Sequence, residues 1–185
     1  MSLVQISGNA SGTGTLTIAA PNTNTNRTLT LPDATGTLLS SATTTGFPAG
    51  SVLQVVNATY SVETSNSTST YADTGLTATI TPTSATSKIL VFANQCGLAK
   101  TNNEGVRLRL LRGATTIVQV EIAAAYTNTT TNNRVGGSSA TFLDSPATTS
   151  ATIYKTTFAS SDNTAFATVQ ASTATSTITL MEIAA

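Results

Sequence analysis

The chain has no histidine, no tryptophan and one cysteine, and charged side chains make up only 9% of its 185 residues, eight basic against eight acidic. Each shortage excludes something. Without histidine, the commonest general base and the commonest metal-binding side chain are missing. Cys96 stands alone, so no intrachain disulfide can form; between Gln95 and Gly97 at the end of an apolar run, it reads as a buried free thiol. The balanced charge, with a pI near 6.1, provides no cluster of Lys and Arg for nucleic acid and no polybasic patch for an anionic membrane. Apolar runs are short as well. The run at 89–93 falls far below the roughly 18 residues of a membrane span, and MSLVQISGNA has neither the basic nor the apolar part of a signal peptide. The expectation is a protein made and folded in a cytoplasm, with no membrane insertion and no nucleic-acid partner.

What fills the space is Thr, Ser and Asn, with abundant Val and Ile. Disordered segments are poor in β-branched residues, so this composition points to an all-β protein. The organising stretch is 13–39, TGTLTIAAPNTNTNRTLTLPDATGTLL. It contains two copies of a short strand, 15–18 and 28–31, each followed by a proline and a polar turn, and a weaker third copy at 36–39. Leu16 and Ile18 share one face, Leu29 and Leu31 the matching face of the second copy, and Leu38 and Leu39 close the third. Stripes this thin bury too little apolar surface to offset the entropy of ordering the segment. Identical chains wrapping their stripes around a common axis would remedy that, which makes the segment a β stalk and the chain a homotrimer. Ahead of it, a first strand fits 3–6 and a flexible link 8–14. Gly46, Pro48 and Gly50 then break the pattern. The division drawn is an attachment segment and trimeric stalk over 1–47 and a head over 51–185.

The head alternates apolar and polar residues. Even positions are apolar over 51–62, with Gln54 the exception, and over 71–81, which Pro82 ends. The run 89–93 is apolar on both faces, the pattern of a central strand covered on both sides. Over 106–122, a hairpin with the loop Gly113-Ala114-Thr115 would oppose residues whose numbers sum to 228: Leu110 to Val118, Leu108 to Val120, Val106 to Ile122, and Arg107 to Glu121 on the other face. One feature is out of place, since a three-residue loop usually carries its Gly last. Residues 125–139 are polar and aperiodic and read as a long exposed loop, a place where function concentrates. Further strands fit 140–143, 151–159, 164–170 and 176–183. About nine short strands with regular turns predict a β-sandwich of jelly-roll type.

TLTIAAPN, NRTLTLPDATGTLL, GLTATITPTSATSKILV, RLRLLRG, FLDSPATTSATIYK and STITLMEI together resemble the tail-fibre proteins of tailed bacteriophages, especially those of aquatic bacteria. The resemblance covers nearly the whole chain, the repeats as fibre stalk and the remainder as distal head. It implies a homotrimeric virion component, joined to other virion proteins through the N-terminus and binding the host surface through its tip. A trimeric capsid decoration or collar protein with no receptor role is the alternative. Contact with a host glycan or protein is assigned to Tyr126, Asn128, Asn133 and Arg134, whose ring, amides and guanidinium can stack on and hydrogen-bond to sugars.

Chemistry is otherwise sparse. Glu63, Asp73, Glu104, Glu121, Asp144 and Asp162 could serve a glycosidase by residue type alone. Asp73 and Asp144 precede turn residues and Glu121 is assigned to Arg107, so no enzyme is expected and no catalytic residue is named. No Asp-rich loop or Cys/His spacing predicts a metal or cofactor. Arg107, Arg109 and Arg112 read as a solvated or paired strand face.

Overall fold

Threonine alternating with aliphatic residues draws most of the described chain into strands, because a β-branched side chain packs well on a pleated surface half covered by core. The computed structural model describes residues 11–15, 17, 24–26, 28 and 47–185. The chain divides into two units, Met1–Thr37 and Leu38–Ala185. The described residues of the first are exposed and form neither helix nor strand. The stripe residues Leu16, Ile18, Leu29, Leu31, Leu38 and Leu39, and the strand expected at 3–6, lie outside the described residues.

The second unit is all-β. Its strands are β1 (Val52–Tyr60), β2 (Thr64–Asn66), β3 (Ala72–Ile80), β4 (Lys88–Lys100), β5 (Val106–Arg112), β6 (Thr115–Ala124), β7 (Asn133–Asp144), β8 (Thr152–Ser160), β9 (Ala167–Val169) and β10 (Ser176–Ile183). One antiparallel sheet sets β1, β10, β4 and β7 side by side, with β9 and β2 joined to the C-terminal end of β4. The other runs β3-β8-β5-β6.

The inner faces of both sheets share one core. Leu76, Ala78 and Ile80 of β3 pack with Ile89, Val91 and Ala93 of β4, Leu110 of β5, Tyr154 of β8, and Ile178 and Leu180 of β10. A second cluster joins Leu98, Val106, Leu108, Phe158, Ala167 and Val169. Between the clusters runs a buried polar belt. Thr74 bonds Thr156 at 2.6 Å, Thr156 donates to the Gln95 carbonyl at 2.8 Å, and the Gln95 amide donates to Ser176 Oγ at 3.0 Å. Ser176 Oγ also receives the Cys96 N–H and lies 3.2 Å from the Gln170 amide. A hydroxyl oxygen cannot satisfy three donors. Turning that amide over gives the otherwise unpartnered Gln170 carbonyl oxygen the Ser176 proton. Burying a Leu, Ile or Phe contributes about 1.5–3 kcal/mol, against about 1 kcal/mol net for a neutral hydrogen bond. The clusters therefore drive folding, while the belt fixes alignment, since a slipped strand would bury unpaired amides.

Among the described residues, two carboxylates are fully buried. Glu104 accepts hydrogen bonds from the hydroxyls of Ser160 and Ser161 and from the backbone N–H groups of Gly105, Asp162, Thr164 and Ala165. Glu182 accepts from Gln54 at 2.6 Å and from the backbone and hydroxyl of Thr83 at 2.7 Å. Gln54, the polar exception on β1, thus has a partner for its amide.

Several details depart from the pattern in the sequence. The hairpin turns on two residues, Gly113-Ala114, with β6 starting at Thr115. Gly113 is at φ 56° and Ala114 is not at positive φ, the signature of a II′ turn, which takes its Gly first. The expected register holds at Leu110–Val118 and Arg109–Gln119, but bulges displace the rest: Leu108 faces Glu121 and Val106 faces Ala124. The expected Arg107–Glu121 pair is absent from this register, and Glu121 instead accepts from Ser138 at 2.7 Å. β4 is central, yet covered on one face only, leaving Phe92 exposed. Cys96 is half-buried rather than buried. The loop expected over 125–139 ends early, because β7 starts at Asn133; its first residues are open to solvent and need no alternation. Asp73 and Asp144 lie within strands, Asp73 against Lys155 at 2.7 Å and Asp144 bonded to Arg112 at 2.8 Å and to the Tyr154 hydroxyl at 2.7 Å.

Acid should unfold this unit through its interior. Burial pushes the Glu104 and Glu182 carboxyls up, but the donors around each outweigh it and hold both below the ordinary value of 4.5. Depressed folded pKa values mean that the stabilisation is complete above the unfolded value and is lost as pH falls through the folded ones. Melting midpoints should therefore drop steeply below about pH 4.5. Glu104→Gln should lower the midpoint at pH 7 and flatten that acid dependence; an unchanged acid profile would show that this carboxylate is not its source.

Candidate functional site

Glycine at position 97 decides the geometry of one end of the molecule. At Gly97 (φ 64°) β4 bulges, and the register against β7 shifts on either side of Leu98. Odd residues of β4 face the core up to Gln95; beyond the bulge the inward positions are Leu98 and Lys100. Lys100 is thereby drawn inside, 2% exposed. Its ammonium donates to the Asn102 carbonyl at 2.5 Å and to the Thr127 hydroxyl, with no carboxylate in ion-pair range among the described residues.

The same glycine admits a strained loop. Gln170, Ser172 and Thr173 sit at φ 53°, 57° and 60°, a region costing an L-residue roughly 1–2 kcal/mol and especially rare for a β-branched side chain. Contacts on both sides hold it there. The Gln170 N–H donates to the Cys96 carbonyl at 3.0 Å, and a Cβ at position 97 would come within 2.4 Å of the Ala171 nitrogen. On the outer side, the Ser172 N–H donates to Glu63 Oε2 at 2.8 Å, and Arg134 Nη1 donates to Ser172 Oγ at 2.7 Å.

Beside this loop opens a cavity of about 360 Å³. β4 and its extension supply Ala99, Lys100 and Thr101; the start of β7 supplies Asn133 and Arg134, with Asn132 just before it; Glu63, Thr168 and Ala171 complete the wall. Ser172 accepts a hydrogen bond from Arg134 at its hydroxyl and donates one from its N–H to Glu63, and these two charged side chains form no ion pair with each other. The result is a pocket of amides, hydroxyls and separated charges, suited to hydrogen-bonding a polar ligand.

Of the residues assigned to receptor contact, Asn133 and Arg134 line this cavity. Tyr126 and Asn128 are exposed in the preceding loop and do not line it. The loop is nonetheless anchored to the site, through Thr127 on Lys100 and Asn132 on the Asn102 N–H at 3.3 Å. Lys100 and Ser172 escaped the sequence pattern, and Glu63 stood out there only as a carboxylate by residue type; Gly97 inside a strand was the available sign of a bulge. The arginine row lies elsewhere. Arg109 stacks on Tyr71 at 3.6 Å from the ring centre, and Arg112 is committed to Asp144. A larger hollow of about 480 Å³ lies between Asp73–Thr77 and Ile153–Thr156. Its walls are mostly apolar and its charges, Asp73 and Lys155, neutralise each other at 2.7 Å. No group of three or more metal-ligating side chains occurs among the described residues.

Gly97→Ala should displace the loop at 170–173 without unfolding the sheets. The expected outcome is faster amide hydrogen exchange at 170–174 and a stability loss of about 2–3 kcal/mol. Gly113→Ala, at a similar φ but with open space around it, should cost only the backbone part and leave that exchange alone.

No family model matches the chain, and no curated protein matches it.

Proposed function

We propose that the chain is a structural component of a bacteriophage virion, a short trimeric tail fibre or tip that binds the host cell surface. The N-terminal repeats are its stalk and attach it to other virion proteins; the two-sheet unit is a jelly-roll head. It is assembled in the host cytoplasm and acts by binding, with no catalytic step.

The strand order supports the head. β1-β10-β4-β7 against β3-β8-β5-β6, with the chain crossing repeatedly between sheets, fits the order that two nested Greek keys would give. The outer face of the first sheet supports self-association. Val55, Met181, Leu90 and Leu143 are successive cross-strand neighbours and make an apolar row across all four strands, with Val55 and Leu143 about half exposed. Rows of this kind mark contact surfaces. A further copy of the chain is the fitting occupant, because the segment leading into β1 is tied to the same sheet: Gly50 and Ser51 bond the backbone of Ala184 at 2.9 Å.

The observation that carries the receptor role is the polar cavity, where Asn133 and Arg134 meet Lys100 and Glu63 beside a strained loop. Strain of this kind concentrates at ligand sites, and a weak single site gains avidity from repetition around a trimer axis. Light scattering of the full chain at micromolar concentration should give three times the chain mass, and Val55→Asp with Leu143→Asp should reduce it. Immunogold labelling of particles carrying the chain should mark the tail tip. A monomeric mass would overturn the trimer, and label over the shell would replace the fibre with a capsid decoration protein.

A further inference from the structure

The wall of the cavity carries two cations and one carboxylate, and none of them is neutralised by an ion pair among the described residues. Lys100 is the buried one. An ammonium has three protons; two go to the Asn102 carbonyl and the Thr127 hydroxyl, and the third has no acceptor among the described residues. A buried charge without a counter-charge costs several kcal/mol, a cost that an anion arriving in the cavity would offset. Arg134, on the exposed rim, gives one Nη1 proton to Ser172 and keeps most of its planar fork free. Glu63 is occupied on one oxygen by the Ser172 N–H. Left-handed Ser172 therefore stands between guanidinium and carboxylate as the hydrogen-bond partner of each, so the positive charge stays available.

The neutral groups complete the description of a ligand. Asn132, Asn133, Thr101 and Thr168 line the same space with amides and hydroxyls that pair with vicinal sugar hydroxyls. A volume of about 360 Å³ holds one or two pyranose rings, at the lower end of small-molecule sites.

We infer that this cavity binds an acidic sugar, a pyranose bearing a carboxylate or phosphate, with the anionic group on Arg134 and within the field of Lys100. The inference rests on the receptor-binding reading and specifies its ligand class. The anion replaces the counter-charge that the wall lacks, and the ring hydroxyls take the amides. Neutral glycans meet the same amides but leave Lys100 uncompensated.

Calorimetric titration of the full chain at low salt with trigalacturonate, with a phosphorylated trisaccharide and with neutral galactotriose tests this. At least one acidic probe should bind about tenfold or more tightly than the neutral one, weakening as salt is added. The two acidic arms separate carboxylate from phosphate. Arg134→Ala should cut acidic binding about tenfold, and Glu63→Gln, which removes the one carboxylate that the described residues give the wall, should strengthen it. Both side chains are exposed, so the fold tolerates either change; equal melting curves check this. Equal affinity for the neutral probe, or acidic binding indifferent to both variants, would overturn the acidic-sugar assignment while leaving a receptor role intact. Binding of none of the three would remove the cavity as a sugar site, whereas particle labelling and mass would still decide the fibre on their own.

Discussion

One buried carboxylate holds together the end of the molecule on which everything else converges. Glu104 is fully enclosed in a chain that has few charges to spend. Desolvating an ion costs several kcal/mol, and only a dense set of charge-assisted hydrogen bonds offsets that. Apart from the Gly105 N–H, the set comes from one short stretch, residues 160–165, closing the turn between β8 and β9 around the Glu104 oxygens. The consequence reaches past the turn. β9 starts two residues after Ala165 and pairs with Ala99 and Lys100, while Thr101 and Phe166 exchange hydrogen bonds at 2.9 and 3.0 Å. The position of Lys100 is thus inherited from Glu104.

The second unit divides its labour between its two core clusters. One end of the sandwich is apolar, built from the larger cluster of β3, β4, β5, β8 and β10; the other mixes a small apolar cluster with buried polar groups and left-handed backbone. The belt through Thr74, Thr156, Gln95 and Ser176 is the seam between them. Stability is concentrated on one side of it, and the strained, hydrogen-bonded cavity on the other draws on that reserve. Such an arrangement lets loop geometry depart from its resting preferences without endangering the sheets.

Much of the fold was legible because its strands alternate. β10 begins and ends where Thr and aliphatic residues stop trading places, at Ser176 and Ile183, and the inward set Leu76, Ala78 and Ile80 follows from the same rule. What escaped were the places where alternation fails for a physical reason. The hairpin slipped out of the expected register because bulges add residues to one strand and not the other. The first half of β7 was hidden because a strand wet on both faces leaves no periodic trace. The site was half visible: Asn133 and Arg134 stood out as exposed polar residues and Glu63 as a carboxylate without a place, whereas Lys100 reached the cavity only through the frame shift at Gly97, and Ser172 joined Glu63 only through a backbone hydrogen bond that no residue type announces.

The irregular β6 has a bearing on crowding. It lies at the margin of its sheet, where free N–H and C=O groups invite a foreign strand to add on. Its ladder with β5 changes step three times within a few residues, so the groups it offers outward are out of phase with any straight newcomer, and Ile122 at 73% exposure has no matching row of neighbours to recruit one. Copies of this chain brought close together can therefore meet without knitting into a common sheet, and their encounters are left to faces rather than margins.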